Sequence, residues 1–335
     1  MMNVSKILEH ETQFRALTSL NIDEFETLLR FFRHRWHQFH KHYNVYGRRR
    51  KRVLSAKAYL KPTRTLPSVE DKLFFILLFF KTGSIQQQLA ANFEMDQSQV
   101  SRWIKLLLPL LHESIVDCHC QAAQTMEELI QLFRQRQGPP NSGDLSTNPE
   151  SLHLDVTARP IAENIDRSAQ KKDFSAKHHG HRLKNTLICD EFQFIHFAGP
   201  TWLGSMHDKT IINLELPSLN FLKSYELWLS KDKGYQKYQP FGVHLLEPIR
   251  NPPKGEMSDF EKEYNTWVNS IRVIIEHAIS GVKRLQLLAQ PHRYHNAKYR
   301  NDFFQIGCGL HNLRVRFRRH NYSRGASRIR ASLNF

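Results

Sequence analysis

The stretch Leu152-His153-Leu154-Asp155-Val156 opens the change of texture that decides how this chain folds. Before it, apolar residues recur every three or four positions, as in helices packed on one face. From it onward they gather in short runs bounded by turn residues, as strands do. Leu183 to Cys189 and Phe192 to Phe197 are two such runs, parted by Asp190-Glu191, and they read as a hairpin. Further on, His207 to Leu216 is a helix, Glu226 to Ser230 and Val243 to Leu246 are buried strands, and Ser258 to about Gln286 is one long amphipathic helix. A hairpin followed by alternating strands and helices predicts an α/β domain with a mixed sheet and flanking helices.

Working back from that stretch, residues 137–150 carry Pro139, Pro140, Gly143 and Pro149 among Asn and Ser, and form a linker. The expected organisation is a helical domain at 1–136, the linker at 137–150, the α/β domain at 151–311 and a basic tail at 312–335. In the helical part, Pro62, Pro67 and Pro109 mark joints. Ser68 to Thr82 is a buried helix. After Gly83, Ser84 caps a short helix through Phe93, and Asp96 caps a longer one to about Leu108.

That is the pattern of a helix-turn-helix at about 84–108, whose second helix enters the DNA major groove. Its outward side carries Gln97, Ser98, Ser101, Arg102 and Lys105, all suited to phosphates or base edges, while Val100, Trp103 and Ile104 face inward with Leu89 and Phe93. The competing account is a helical hairpin without DNA contact, and the charge around it counts against that.

The charge is large and clustered. In 335 residues the formal net charge is +16, the pI is about 9.8 and 40% of residues are hydrophobic, which describes a folded protein with a polyanionic partner. Phe31 to Thr65 holds no acid and includes the run Arg48, Arg49, Arg50, Lys51, Arg52. From Asn312 onward Arg314, Arg316, Arg318, Arg319, Arg324, Arg328 and Arg330 again occur without an acid, as in a segment lying along a phosphate backbone or a solvated tail.

Cys118, Cys120, Cys189 and Cys308 are too few for a disulfide framework, so a reducing cytoplasm fits. Cys118-His119-Cys120 and His178, His179 and His181 lack a second half at zinc-site spacing. Leu73 to Phe80, the most apolar run, is far shorter than the roughly 20 residues of a membrane span, and Met1 to His10 has no signal-peptide core.

Against this basic background three carboxylates stand out. Asp155 closes the first strand of the α/β domain, where a side chain reaches past the sheet edge. Asp232 follows Leu227-Trp228-Leu229-Ser230-Lys231 and precedes Lys233-Gly234-Tyr235. Glu276 lies on the long helix, whose apolar stripe is Trp267, Ile271, Ile274, Ile275, Ala278, Val282 and Leu285 and whose polar stripe is Arg272, Glu276, Ser280 and Lys283. Taken alone, Arg272 and Glu276 make a surface ion-pair ladder. Gathered with the two aspartates, Glu276 completes a set of hard oxygen ligands that would hold divalent cations against phosphates.

The array Leu154-Asp155-Val156-Thr157-Ala158-Arg159-Pro160, Gly204-Ser205-Met206-His207-Asp208, Lys231-Asp232-Lys233-Gly234-Tyr235 and Asn269-x2-Arg272-x3-Glu276-x6-Lys283 resembles bacterial insertion-sequence transposases of the DDE superfamily, with Harbinger-type transposases related. Relatives often carry Tyr where this chain has Asn269, which leaves the subgroup open and the carboxylates unaffected. The resemblance implies a ribonuclease-H-like catalytic domain with the acidic triad on Asp155, Asp232 and Glu276, preceded by an all-α helix-turn-helix domain. His207-Asp208 also recurs in the resembling sequences, so Asp208 is the rival second carboxylate.

Under that reading two Mg2+ ions, or Mn2+ in their place, sit on the triad. Water cuts the DNA, and the exposed 3′-hydroxyl joins target DNA without a covalent protein intermediate or ATP. Arg272, Lys283 and the run Arg48, Arg49, Arg50 contact DNA, the helix-turn-helix reads terminal inverted repeats, and a homodimer or larger synaptic assembly brings two ends together at the nucleoid. The alternative is a DNA-binding regulator, such as a domesticated transposase, whose catalytic fold survives only as scaffold.

Overall fold

Ser68 starts the helix around which the helical part is built. Its hydroxyl accepts from the Asp71 N–H at 2.9 Å while the Asp71 carboxylate accepts from the Ser68 N–H at 3.0 Å, a reciprocal cap. The helix stops at Gly83, whose φ of 60° is left-handed and whose absent Cβ would lie 3.1 Å from backbone atoms of Gln286 and Leu287. Residues 73–80 are all buried, as expected of a helix without a polar face. The computed structural model describes residues 4–54, 65–135, 149–235, 237–252 and 255–332. Most of the expected linker and the side chains of Arg319, Arg324, Arg328 and Arg330 lie outside the described residues.

The chain divides into two compact units. One comprises Met1–Gln121, Lys283–His292 and Asp302–Arg314; the other comprises Ala122–Val282, Arg293–Asn301 and Val315–Phe335. In the first unit, α1 (Val4–Leu8), α2 (Glu11–Thr18) and α3 (Ile22–His42) precede the buried helix α4 (Val69–Thr82), which is followed by α5 (Gln86–Asn92) and α6 (Gln97–Asp117). Phe14 meets Phe25, and Phe75 meets Phe93, each edge-on at 5.0 Å.

Three sequence expectations change here. Ser84 does not cap α5: its hydroxyl donates to Thr82 Oγ1 at 2.8 Å and Ile85 takes the cap position. The second helix does not stop near Leu108 but runs through Pro109 to Asp117, held by the burial of Leu106, Leu107, Leu108, Leu110 and Leu111. Arg314, read as part of a basic tail, is buried, and its neighbour Asn312 donates to the Cys120 carbonyl at 3.0 Å.

The second unit contains α7 (Met126–Gln135), β1 (Ser151–Pro160), α8 (Arg167–Asp173), β2 (Phe174–Ser175), β3 (Gly180–Asp190), β4 (Ile195–Ala198), β5 (Trp202–Leu203), α9 (Asp208–Glu215), β6 (Trp228–Lys231), β7 (His244–Leu246) and nearly all of α10 (Asp259–Lys283). After it come α11 (Gln286–Ala289) and α12 (Ala297–Ser332). Among the described residues the seven strands form one mixed sheet, with path β2-β3-β1-β6-β7 and with β4 and β5 also on β3. β1 is antiparallel to β3 and parallel to β6, and β6 is parallel to β7. This mixed sheet with flanking helices is the expected ribonuclease-H-like fold.

One sheet face carries Leu152, Leu154 and Val156 of β1 with Ile188 and Leu229, and it packs on Phe133, Ile211, Ile212 and Leu216. β1 runs five residues past Asp155, because Thr157 and Arg159 continue the ladder against Asn185 and Leu183. Asp155 therefore lies mid-strand rather than at a strand end. The second hairpin strand is shorter than expected, because the Asp190 carboxylate accepts from the N–H groups of Phe192 and Phe194, each at 2.9 Å, and holds residues 190–194 as a turn.

Candidate active site

The position of Asp155 follows from register. The last parallel pair joining β1 to β6 is Leu154 with Lys231, so the next residue on each strand is Asp155 and Asp232. β6 ends there, and residues 233–235 make a tight turn in which the Tyr235 N–H donates to the Asp232 carbonyl at 2.9 Å. The turn is fixed from inside: the fully buried Lys231 ammonium donates to the Tyr235 carbonyl at 2.9 Å and pairs with Glu247. Its rigidity sends the Tyr235 phenol back to β1, where it donates to Asp155 Oδ1 at 3.0 Å and accepts from the Val156 N–H at 3.3 Å.

Burial pushes the Asp155 carboxyl up from its ordinary range, and the nearby Asp232 charge adds to that rise. The Val156 N–H, the Tyr235 hydroxyl and the Arg272 guanidinium oppose it by favouring the charged form. Burial and the Asp155 charge also raise the Tyr235 phenol, which stays protonated and able to donate.

Arg272 on α10 places Nη2 3.0 Å from Asp232 Oδ1, and its Nη1 is 3.4 Å from Asn269 Oδ1. The helical ladder that the i, i+4 spacing suggested therefore gives way to a pairing across the fold. On α10 the buried positions are Asn265, Val268, Ile275, Ala278 and Val282, while Trp267, expected in the apolar stripe, is 54% exposed. Asn265 anchors the helix by accepting from the Ile249 N–H at 2.7 Å and donating to its carbonyl at 3.0 Å.

Glu276 is exposed, one turn beyond Arg272 on the same helix face. No group of three or more His, Cys, Asp or Glu stands together as a metal-ligand set among the described residues. The two aspartates are thus neighbours, and Glu276 is not gathered with them. Two hard carboxylates whose mutual repulsion is offset by the Arg272 cation suit a divalent ion by donor chemistry.

Asp208, the rival carboxylate, is already engaged, with Lys184 at 2.9 Å and Lys177 at 3.5 Å. It opens α9 behind His207, whose Nδ1 accepts from the Lys209 N–H at 3.2 Å. Sequence reasoning gave no role to Tyr235, Lys231 or the buried His153, which bonds Ser230 at 2.8 Å across β1 and β6. The Lys231-Asp232-Lys233-Gly234-Tyr235 motif was the available signal for the first two.

In the helical unit, Gln97, Ser98 and Lys105 of α6 are accessible and Ser101 and Arg102 half-buried, while Val100, Trp103 and Ile104 are buried, as their spacing predicted. The Gln99 side chain accepts from the Asp96 N–H at 3.0 Å, fixing the helix start. Lys283 is the last residue of α10. Among the described residues no helix is long and apolar enough to cross a membrane, and all four cysteines are buried.

Residues 154–312 match a family model described as DDE superfamily endonuclease, and residues 64–117 match one described as helix-turn-helix of DDE superfamily endonuclease. A probable transposase of an insertion sequence element from Microchaete diplosiphon is 26% identical over 236 residues, covering 69% of this chain and 75% of that protein. No solved structure matches the chain.

Proposed function

Because the chain belongs to the DDE superfamily of endonucleases, we propose that it is an insertion-sequence transposase that cuts DNA at the element ends and joins the 3′-hydroxyls to target DNA. The observation that carries this reading is the pairing level of Asp155 and Asp232, with Arg272 at 3.0 Å from the latter.

Asp155, Asp232 and Glu276 would hold two divalent cations, with magnesium the natural choice for hard carboxylate donors and manganese able to substitute. Such ions supply a nucleophile of lowered pKa and a counter-charge for the leaving 3′ oxygen. The chain's own groups do the rest. Tyr235 keeps Asp155 oriented and favours its charged form, Lys231 fixes the turn that carries Asp232 and Tyr235, and release of Arg272 from Asp232 frees the helix face that also bears Glu276. Arg272 and Lys283 then meet the phosphates of the reacting end.

In this reading α5 and α6 recognise the terminal inverted repeats, with Arg102 and Lys105 setting register on phosphates and Gln97, Ser98 and Ser101 reaching base edges. Pairing two ends requires a dimer or a larger synaptic assembly.

The test is magnesium-dependent cleavage of duplexes carrying the element's ends, with Asp155→Ala and Glu276→Ala as controls. Cutting by the native chain that both substitutions abolish, with DNA affinity retained, is the expected result. Affinity without cutting in any version would assign the protein to DNA-binding regulation on a silent scaffold.

A further inference from the structure

The run Arg48, Arg49, Arg50, Lys51, Arg52 is not a loose basic segment. It belongs to a tight turn that leaves the end of α3. Asn44 Oδ1 accepts from the N–H groups of Tyr46 and Arg48, each at 3.0 Å, and the Asn44 N–H donates to the Arg48 carbonyl at 3.0 Å. Gly47 takes a φ of 72° at the tip, where a side chain would be strained, and Tyr43 pairs with Arg49 in an antiparallel bridge. The Arg50 N–H donates to the His42 carbonyl at 2.8 Å, and the Leu54 N–H to the Lys41 carbonyl at 3.2 Å.

The arginines divide into two kinds. Arg50 is a strut: its Nε donates to the carbonyls of His40 and Tyr43, both at 3.1 Å, and its Nη2 lies 3.2 Å from His40 Nε2. Arg48, Arg49, Lys51 and Arg52 point into solvent. A rigid turn that presents four cations has the form of a fixed polyanion contact, because ordering like charges without a partner is unfavourable.

The turn is also tied to α6. The Arg102 guanidinium sits 4.5 Å from the centre of the Tyr46 ring, a cation–π contact, although Tyr46 is 63% exposed. An aromatic ring left that open at a turn tip is not core. It bridges the basic turn and the outward side of the helix proposed to enter the major groove.

We propose that residues 43–52 form a second DNA-contacting element, a wing that lays Arg48, Arg49, Lys51 and Arg52 on the phosphate backbone beside the groove entered by α6, with the Tyr46–Arg102 stack holding the two in register. This rests on the reading of α5 and α6 as the DNA-binding pair.

The experiment measures the salt dependence of binding to a random-sequence DNA duplex by the full chain and by the variant Arg48→Gln, Arg49→Gln, Lys51→Gln, Arg52→Gln. Releasing four phosphate contacts should reduce the log–log salt slope by about 3 to 4. An unchanged slope overturns the wing while leaving the helix pair intact, and a native chain that binds no DNA overturns both.

A second measurement is independent of that variant's folding. The native cysteines are buried, so Arg48→Cys offers one accessible thiol for a photo-crosslinker. Adducts with bound duplex DNA are expected. Their absence, or tighter binding to an RNA duplex than to DNA, contradicts the proposal.

Discussion

Asp155 and Asp232 each follow the last parallel pair between β1 and β6, so strand register alone makes neighbours of two acids 77 positions apart in sequence. Their repulsion is met by one guanidinium from α10, that of Arg272 at 3.0 Å from Asp232. Much of the behaviour expected of the site follows from this relationship.

Arg272→Met removes the cation that pairs with Asp232. The side chains of the pair are 20% and 39% exposed, so its contribution to stability is about 1 kcal/mol or less. The DNA-free variant should bind Mn2+ up to about fivefold more tightly in calorimetric titration, the equivalent of about 1 kcal/mol. A folded variant that binds Mn2+ more weakly would show that Arg272 shapes the site rather than competing within it.

Tyr235→Phe deletes the hydroxyl that donates to Asp155 and should cost about 1 kcal/mol in stability. That hydrogen bond favours the ionised carboxylate, so its loss raises the Asp155 pKa further. The acidic limb of the cleavage rate should therefore move to higher pH. A limb that stays in place while the overall rate falls would reduce Tyr235 to a packing role.

Glu215 gives a separate pH prediction. Burial lifts its pKa from 4.5 to about 7, although the Trp202 indole N–H donates to it. The folded state then holds a proton that the unfolded chain has released, so stability declines as pH rises from about 4.5 to 7 and is level above that. The decline should amount to about 3 kcal/mol and should be absent in Glu215→Gln. Parallel stability curves for the two proteins would contradict the assignment.

Phe93 closes the packing between α5 and α4, 5.0 Å from Phe75, and is 2% exposed. Phe93→Ala should destabilise the helical unit by about 3 to 5 kcal/mol in urea denaturation. Lys105→Ala, at an exposed position, should stay within about 0.5 kcal/mol while weakening DNA binding. A small effect at Phe93 would mean that α5 is not packed as described.

The sequence made both aspartates visible but misplaced Asp155 at a strand end, because apolar content fades after Val156 while the strand continues by pairing with β3. Thr157 and Arg159 stay in the ladder through backbone bonds and through the Arg159 guanidinium, which donates to Asn185 Oδ1 at 3.0 and 2.9 Å. Ser84 had the chemistry of a cap, but its hydroxyl donates to Thr82 Oγ1 instead. Pro109 looked like a break, yet the burial of its neighbours outweighs one lost helical hydrogen bond. The Arg272 and Glu276 spacing was read correctly as one helix face, but spacing says nothing of a competing carboxylate on another element. Tyr235 was legible as motif and not as function, since its role depends on a turn that returns its hydroxyl to a strand 80 residues earlier.

The central claim is that Asp155, Asp232 and Glu276 share bound metal. The most direct measurement replaces Mg2+ with Fe2+ and, after adding ascorbate and peroxide, maps where the polypeptide is cut by radicals formed at the bound ion. Cuts should cluster near residues 155, 232 and 276 and disappear together in Asp155→Asn. Cuts at the two aspartates with none near Glu276 in the DNA-bound protein, or a pattern unchanged in Asp155→Asn, would contradict the shared site.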